Sequence, residues 1–181
     1  MTPGHSESGV RVIQHHNREM LVSLLSKVTK GLQSLPRRVM LYGVHGIGKS
    51  TFGAMAPNPI FVQTEDGLAN IETPRFPLAE SFEDVMAAVM ELYSEPHDYR
   101  TVVIDSADWL EQLIWKELVR RRPTTERGRD VTSIEDYGFA KGYTYALEPW
   151  REVLDGLNAL RNERGMMVIL IAHAKIERFE N

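Results

Sequence analysis

Gly43-Val44-His45-Gly46-Ile47-Gly48-Lys49-Ser50 follows the apolar run Val39-Met40-Leu41-Tyr42 and leads into Thr51-Phe52-Gly53-Ala54. A glycine-spaced octet closing on Lys-Ser, set between a strand signal and a helix signal, is the pattern of a loop that wraps phosphate. Its glycines let the backbone turn amide N–H groups toward an anion, and the helix opening at Lys49 adds its positive end. Lys49 brings a mobile charge for the β- and γ-phosphates of a nucleotide, and the Ser50 hydroxyl is a ligand for Mg2+. The candidate nucleotide-binding residues are Gly43, Val44, His45, Gly46, Ile47, Gly48, Lys49, Ser50 and Thr51. The bland reading is a glycine-rich turn without a ligand. His45 is expected to shape the loop rather than do chemistry.

Outward from this loop, strand and helix signals alternate, which predicts an α/β domain with a mainly parallel sheet. A helix from Lys49 to Met55 is ended by Pro57-Asn58-Pro59, and Ile60-Phe61-Val62 forms a second strand. Ser81-Phe82-Glu83-Asp84 has the form of a capping box, followed by a helix face of Val85, Met86, Val89 and Tyr93. A third strand, Thr101-Val102-Val103-Ile104, closes on Asp105 and precedes a helix carrying Trp109, Leu110, Leu113, Ile114 and Leu118. After a polar stretch over 123–136, a long helix presents Leu147, Trp150, Val153, Leu154, Leu157 and Leu160, with Gly165 as its C-terminal cap. Residues 166–172 form a fourth, doubly buried strand. Four strands make a thin sheet with an open edge, so at least one further strand is expected beyond it and the core reads as C-terminally incomplete.

A phosphate loop needs an acid at the end of another apolar strand to hold the metal, and Asp105 fits; the alternative for Asp105 is a helix cap or turn former, a part Asp108 could also play. Hydrolysis further needs a group to activate water. Glu65, at the C-terminal tip of the second strand, stands on the edge where open parallel sheets bind ligands. It reads either as general base or as a solvated turn residue beside Asp66-Gly67. His173 ends the fourth strand on the same edge, either sensing the γ-phosphate or simply exposed. The candidate catalytic residues are thus Glu65, Lys49 and His173, and the candidate metal-side residues Ser50 and Asp105.

The 181 residues carry 21 basic and 25 acidic side chains for a net charge of −4, with 43% hydrophobic residues and no cysteine. Disulfides, thiolate metal sites and cysteine nucleophiles are excluded. No apolar run reaches the roughly 18 residues of a membrane helix, and an intracellular, soluble protein without a membrane partner is expected. The domain plan is an N-terminal extension over 1–36, with a polar start and an amphipathic helix at 17–35 built on Leu21, Leu24, Leu25, Val28 and Leu32, followed by a nucleotide-binding core over 37–181.

GVHGIGKST, FVQTEDGL, VVIDSADWLEQLIW, SIEDYGFAKGYTYALEPWREVLDGL and VILIAHAKIERFEN together resemble the phage-type RecA-like P-loop nucleotide-binding proteins, small ATPases linked to single-strand annealing and recombination. The resemblance runs from about Arg37 to the last residue. It implies a RecA-like, three-layer α/β/α P-loop NTPase core, ATP with Mg2+, single-stranded DNA as partner, and a homo-oligomer in rings or filaments, in the cytoplasm of a bacterial or phage-infected cell. Carried over by position, Lys49 and Ser50 match the phosphate-loop pair, Asp105 the second acid and Glu65 the acid after the second strand. His173 falls where RecA relatives carry a polar γ-phosphate sensor, commonly glutamine.

Read from the residues alone, a DNA contact rests on Arg120, Arg121, Arg122, Arg127 and Arg129, set against Glu126 and Asp130 in a segment expected to be flexible. Arginines also favour helix C-termini and solvated loops. Tyr137, Phe139, Tyr143 and Tyr145 are either stacking platforms or, at near-helical spacing, core and interface residues. Lys175 and Arg178 are either finger residues toward a neighbour's γ-phosphate or surface charges. Competing functions are a nucleotide-gated scaffold with little turnover and a small-molecule kinase, which would want an arginine-rich lid and would not need Glu65. No N-K-x-D segment supports a GTPase, and no L-S-G-G-Q segment a transporter ATPase.

Overall fold

The computed structural model describes residues 28, 30, 31 and 34–175. The expected helix over 17–35 falls largely outside the described residues, as does Arg178. The chain clusters into two units, Met1–Ser34 and Leu35–Asn181, and the second carries the fold.

Its elements in order are β1 (Arg38–Gly43), α1 (Lys49–Ala54), β2 (Pro59–Gln63), α2 (Phe82–Ser94), β3 (Thr101–Asp105), α3 (Ala107–Arg121), a 3-10 turn (Ile134–Tyr137), α4 (Lys141–Tyr145), α5 (Leu147–Glu163) and β4 (Met167–His173). The four strands form one sheet in the order β1-β4-β3-β2, and every pair is parallel. This is the α/β architecture the alternating signals predict. All strands therefore point their C-terminal ends at one edge.

The centre of the sheet is buried on both faces, which is why β3 is a near-continuous apolar run rather than an alternating one, whereas the edge strand β1 leaves Met40 and Tyr42 exposed. Ile60, Val62, Val102, Ile104 and Val168 pack with α2, α3 and α5 on one face. Phe61, Val103, Ile169 and Ile171 face the other way with Leu68, against Ala54 of α1. Helix α1 lies close to the sheet because Gly53 has no side chain. A Cβ there would stand 3.0 Å from the Phe61 ring and 3.1 Å from Val103. The outer edge of β2 is covered by the following loop, where Phe61 N–H donates to Pro74 O at 3.0 Å and Phe76 N–H to Phe61 O at 2.9 Å. Among the described residues no strand covers the outer edge of β1.

Local chemistry explains the helix boundaries. Ser81 Oγ accepts from the Asp84 amide at 3.1 Å while Asp84 Oδ2 accepts from the Ser81 amide at 2.9 Å, the reciprocal capping box expected from the sequence. The buried stripe of α2 runs through Phe82, Val85, Ala88, Val89 and Leu92. Tyr93, expected on that stripe, turns outward and donates its hydroxyl to Glu163 at 2.5 Å. Trp109 of α3 and Leu147 and Leu154 of α5 are likewise exposed, on the flanks of their apolar faces.

Three of the five arginines expected in a flexible segment, Arg120, Arg121 and Arg122, are instead fixed to carboxylates. Arg120 and Arg121 belong to the last turn of α3 and Arg122 caps it. The buried Glu117 carboxylate accepts from Arg120 Nε at 2.6 Å and from Arg121 Nε at 2.5 Å, and the Arg120 contact above all holds Glu117 below its ordinary pKa. Arg120 reaches Glu83 of α2, Arg121 pairs with Glu152 of α5, and Arg122 with Glu148 of α5. Three helices are joined at one corner by these pairs. Beyond it, Thr124 and Asp130 form an antiparallel bridge, and the Tyr137 hydroxyl donates to Arg122 O at 2.7 Å. No helix among the described residues is long and apolar enough to cross a membrane.

Replacing Gly53 by valine should drive branched methyl groups into Phe61 and Val103. The expected loss is about 1–3 kcal/mol of unfolding free energy, measured by urea titration. An unchanged midpoint would show that α1 does not rest on the sheet as described.

Candidate nucleotide site

The four strand ends assemble the site. Ladder register sets Gly43 beside His173 and Asp105 beside Ile171, so the tip of β4 lies between the phosphate-loop strand and the strand of Asp105. Ala174 N–H donates to Gly43 O at 3.0 Å and ties the chain leaving β4 to the start of the loop.

Within the loop, Gly46 and Gly48 hold φ values of 76° and 93°, and a Cβ on either would meet no atom within 4 Å. Glycine is needed there for conformation, since side chains rarely adopt such angles. The amides of residues 44–48 donate to no acceptor among the described residues. They form a set of backbone donors of the kind that cradles phosphate oxygens. Helix α1 has six residues, fewer than two turns, so these local amides carry more of the anion attraction than any macrodipole. Lys49 is buried, and its Nζ donates to Gly43 O at 3.0 Å and Val44 O at 3.1 Å, which holds the ammonium across the mouth of its own loop.

Asp105 is 3% exposed at the end of a strand whose five residues are all buried. Burial pushes its carboxyl above the ordinary value near 3.8, with Glu65 adding to the rise, while a hydrogen bond from Ser50 and the charges of His173 and Lys49 oppose it. Asp105 is a strand residue and not the cap of α3, a position held by Ser106. Ser50 and Asp105 thus present a hydroxyl and a carboxylate in contact. No group of three or more His, Cys, Asp or Glu side chains among the described residues could hold a metal. Two oxygen ligands beside a phosphate cradle fit Mg2+, which keeps waters and takes its remaining ligands from substrate phosphates.

Glu65 follows β2 and is held by the residue before it. Thr64 N–H donates to Asp105 O at 2.8 Å, the Thr64 hydroxyl donates to Ser106 O at 2.7 Å, and Ser106 N–H returns a bond to that hydroxyl at 2.9 Å. The Glu65 carboxylate, with 23% of its side chain exposed, comes within 3.6 Å of His173 Nε2. On its other side His173 meets Asp108. The His45 ring stacks near it, with centroids 6.2 Å apart and planes 22° from parallel.

Lys49, Ser50, Asp105, Glu65 and His173 are therefore neighbours on one sheet edge. Thr64 and Asp108 belong with them, although nothing in the sequence distinguishes a threonine before Glu65, and the sequence offers Asp108 only as a helix cap or turn former. The arginine-rich segment lies elsewhere, at the far end of α3. There Phe139 is fully exposed, Tyr137 is buried, and Tyr145 packs edge-on to Tyr137 at 5.5 Å. Arg127 and Arg129 form no ion pair among the described residues, whereas Lys141 pairs with Glu126 at 3.2 Å. Lys175 is exposed just past β4.

A family model described as AAA domain matches residues 35–181. No curated protein matches the chain.

Asp105→Asn keeps an acceptor for Ser50 and removes a buried charge. Because the folded pKa is raised, the folded state binds more protons, and stability falls as pH rises through the carboxylate range. Without nucleotide, the variant should match the parent near pH 4 and unfold at a higher temperature at pH 7, while its Mg2+-dependent nucleotide binding weakens. A variant less stable than the parent at pH 7 would contradict the assigned cause.

Proposed function

The chain belongs to the AAA domain family, and on that premise we propose that it is a Mg2+-dependent ATPase of RecA type, acting as a homo-oligomer on single-stranded DNA in phage-like recombination or annealing. The observation that carries the ATPase reading is the meeting of Lys49, Ser50, Asp105, Glu65 and His173 at the C-terminal edge of one parallel sheet.

In this reading the loop amides and Lys49 hold the β- and γ-phosphates of ATP. Ser50 and Asp105 would hold Mg2+, which neutralises charge on the phosphate oxygens. Glu65 orients a water molecule and takes its proton as the water oxygen bonds to the γ-phosphorus. The bond from that phosphorus to the bridging oxygen breaks, and its electron pair leaves with ADP. His173, set between the loop and Glu65, presents Nε2, which accepts from the water when the ring is neutral and donates to the γ-phosphate when it is protonated. A small-molecule kinase is less well supported, because Arg120, Arg121 and Arg122 are tied to helix carboxylates rather than placed in a lid.

The DNA reading leans on the sequence resemblance and on a smaller surface than the five arginines suggested. Arg127, Arg129 and the exposed ring of Phe139 are the groups that could meet a phosphate and a base.

Glu65→Gln should retain nucleotide binding and lose turnover by about 10²–10⁴-fold, read as phosphate release with Mg2+. An unchanged rate would favour the nucleotide-gated scaffold. Single-stranded DNA at low salt should stimulate the parent, with the effect fading as salt rises. Turnover indifferent to DNA would sink the recombination reading and leave the ATPase standing.

A further inference from the structure

Asp108 sits in the first turn of α3, where an acidic side chain ordinarily complements helix amides. Its carboxylate goes elsewhere. Oδ2 accepts from the His173 backbone N–H at 2.8 Å and contacts His173 Nδ1 at 3.0 Å. The first bond has a plain structural cause. The last pair between β3 and β4 joins Asp105 to Ile171, so the amide of His173 lies past the end of β3 and lacks a strand acceptor. Asp108 supplies one. The second contact does nothing for the strand, since it engages the imidazole ring.

We propose that Asp108 is the positioning residue for His173, fixing the ring's tautomer and direction so that Nε2 faces Glu65. A carboxylate only accepts, so the Nδ1 contact requires the proton on Nδ1. Nε2 is then the nitrogen left for the reaction, and it is the one that lies 3.6 Å from Glu65 Oε1. Main-chain and ring donors converging on a single oxygen restrict both side-chain torsions of His173, and the nearby His45 ring limits swing toward the loop. Partners behind a working imidazole commonly act in this way, by orienting it and selecting its tautomer. The catalytic half of this proposal rests on the ATPase reading above; the tautomer half does not.

The test uses the full chain with Asp108→Ala, Asp108→Asn, His173→Ala and the Asp108→Ala/His173→Ala double variant. Asparagine keeps an oxygen able to accept both bonds, so it serves as the conservative rescue and as the fallback where alanine fails to fold. Nitrogen-15 imidazole shifts, assigned by loss of the signal in His173→Ala, should report His173 protonated on Nδ1 in the parent and Asp108→Asn, and a tautomer mixture in Asp108→Ala. In ATP turnover, Asp108→Ala should lower kcat by about 10–100-fold, the range seen when such supporting partners are removed from metal-bound imidazoles. The Kd for a Mg2+-bound non-hydrolysable ATP analogue should change little, Asp108→Asn should recover most of the rate, and Asp108→Ala should add no loss to His173→Ala. An unchanged tautomer in Asp108→Ala overturns the proposal, as does an equal loss of kcat with and without His173. A parent without turnover removes the ATPase reading, while the nitrogen shifts still decide whether Asp108 sets the ring.

Discussion

A carboxylate kept almost out of water at the end of a fully buried strand is costly unless its surroundings compensate, and Asp105 is such a group. Its partners come from every other strand end. Ser50, carried by the helix after β1, hydrogen-bonds it; Thr64, after β2, bonds its backbone; and the charges of His173, at the tip of β4, and of Lys49 lie close enough to act on its protonation. The parallel register makes this possible, because four strands running one way deliver their C-terminal ends to one edge. The apolar packing that builds the sheet and the polar contacts that build the site are thus the same geometry seen from two ends.

The parts of this arrangement legible in the sequence are those fixed by local rules. A glycine-spaced loop between strand and helix, an acid closing an apolar run, and a Ser-x-x-Asp box each carry their meaning within a few residues. The tertiary partners do not. Thr64 matters because β2 lies beside β3, Asp108 because β4 outruns β3, and Gly53 because α1 presses on Phe61 and Val103. None of these is marked by spacing. The two outward aromatics, Tyr93 and Trp109, show the limit of periodicity from another side: a helical stripe has soft flanks, and neighbouring helices decide which flank is buried.

For a related reason the sequence leaves two readings of the arginine cluster open, and Arg120 and Arg121 fall in with the helix C-terminus reading. Charge density along a chain says nothing about carboxylates brought in from other helices. Glu117, Glu83, Glu148 and Glu152 lie between 3 and 37 positions away from their arginine partners, and only folding gathers them at one corner. This corner is a structural joint between α2, α3 and α5. Beyond it lies the segment with Arg127, Arg129 and the exposed Phe139.

Everything proposed for the strand ends depends on the loop at residues 43–51 taking nucleotide phosphates, with a metal that Ser50 and Asp105 would hold. Isothermal titration of the full chain with a non-hydrolysable ATP analogue, with and without Mg2+, tests it most directly. One site per chain is expected, strengthened by Mg2+, abolished in Lys49→Ala, and losing its Mg2+ dependence in Ser50→Ala. Binding that ignores Mg2+ or survives Lys49→Ala would contradict it.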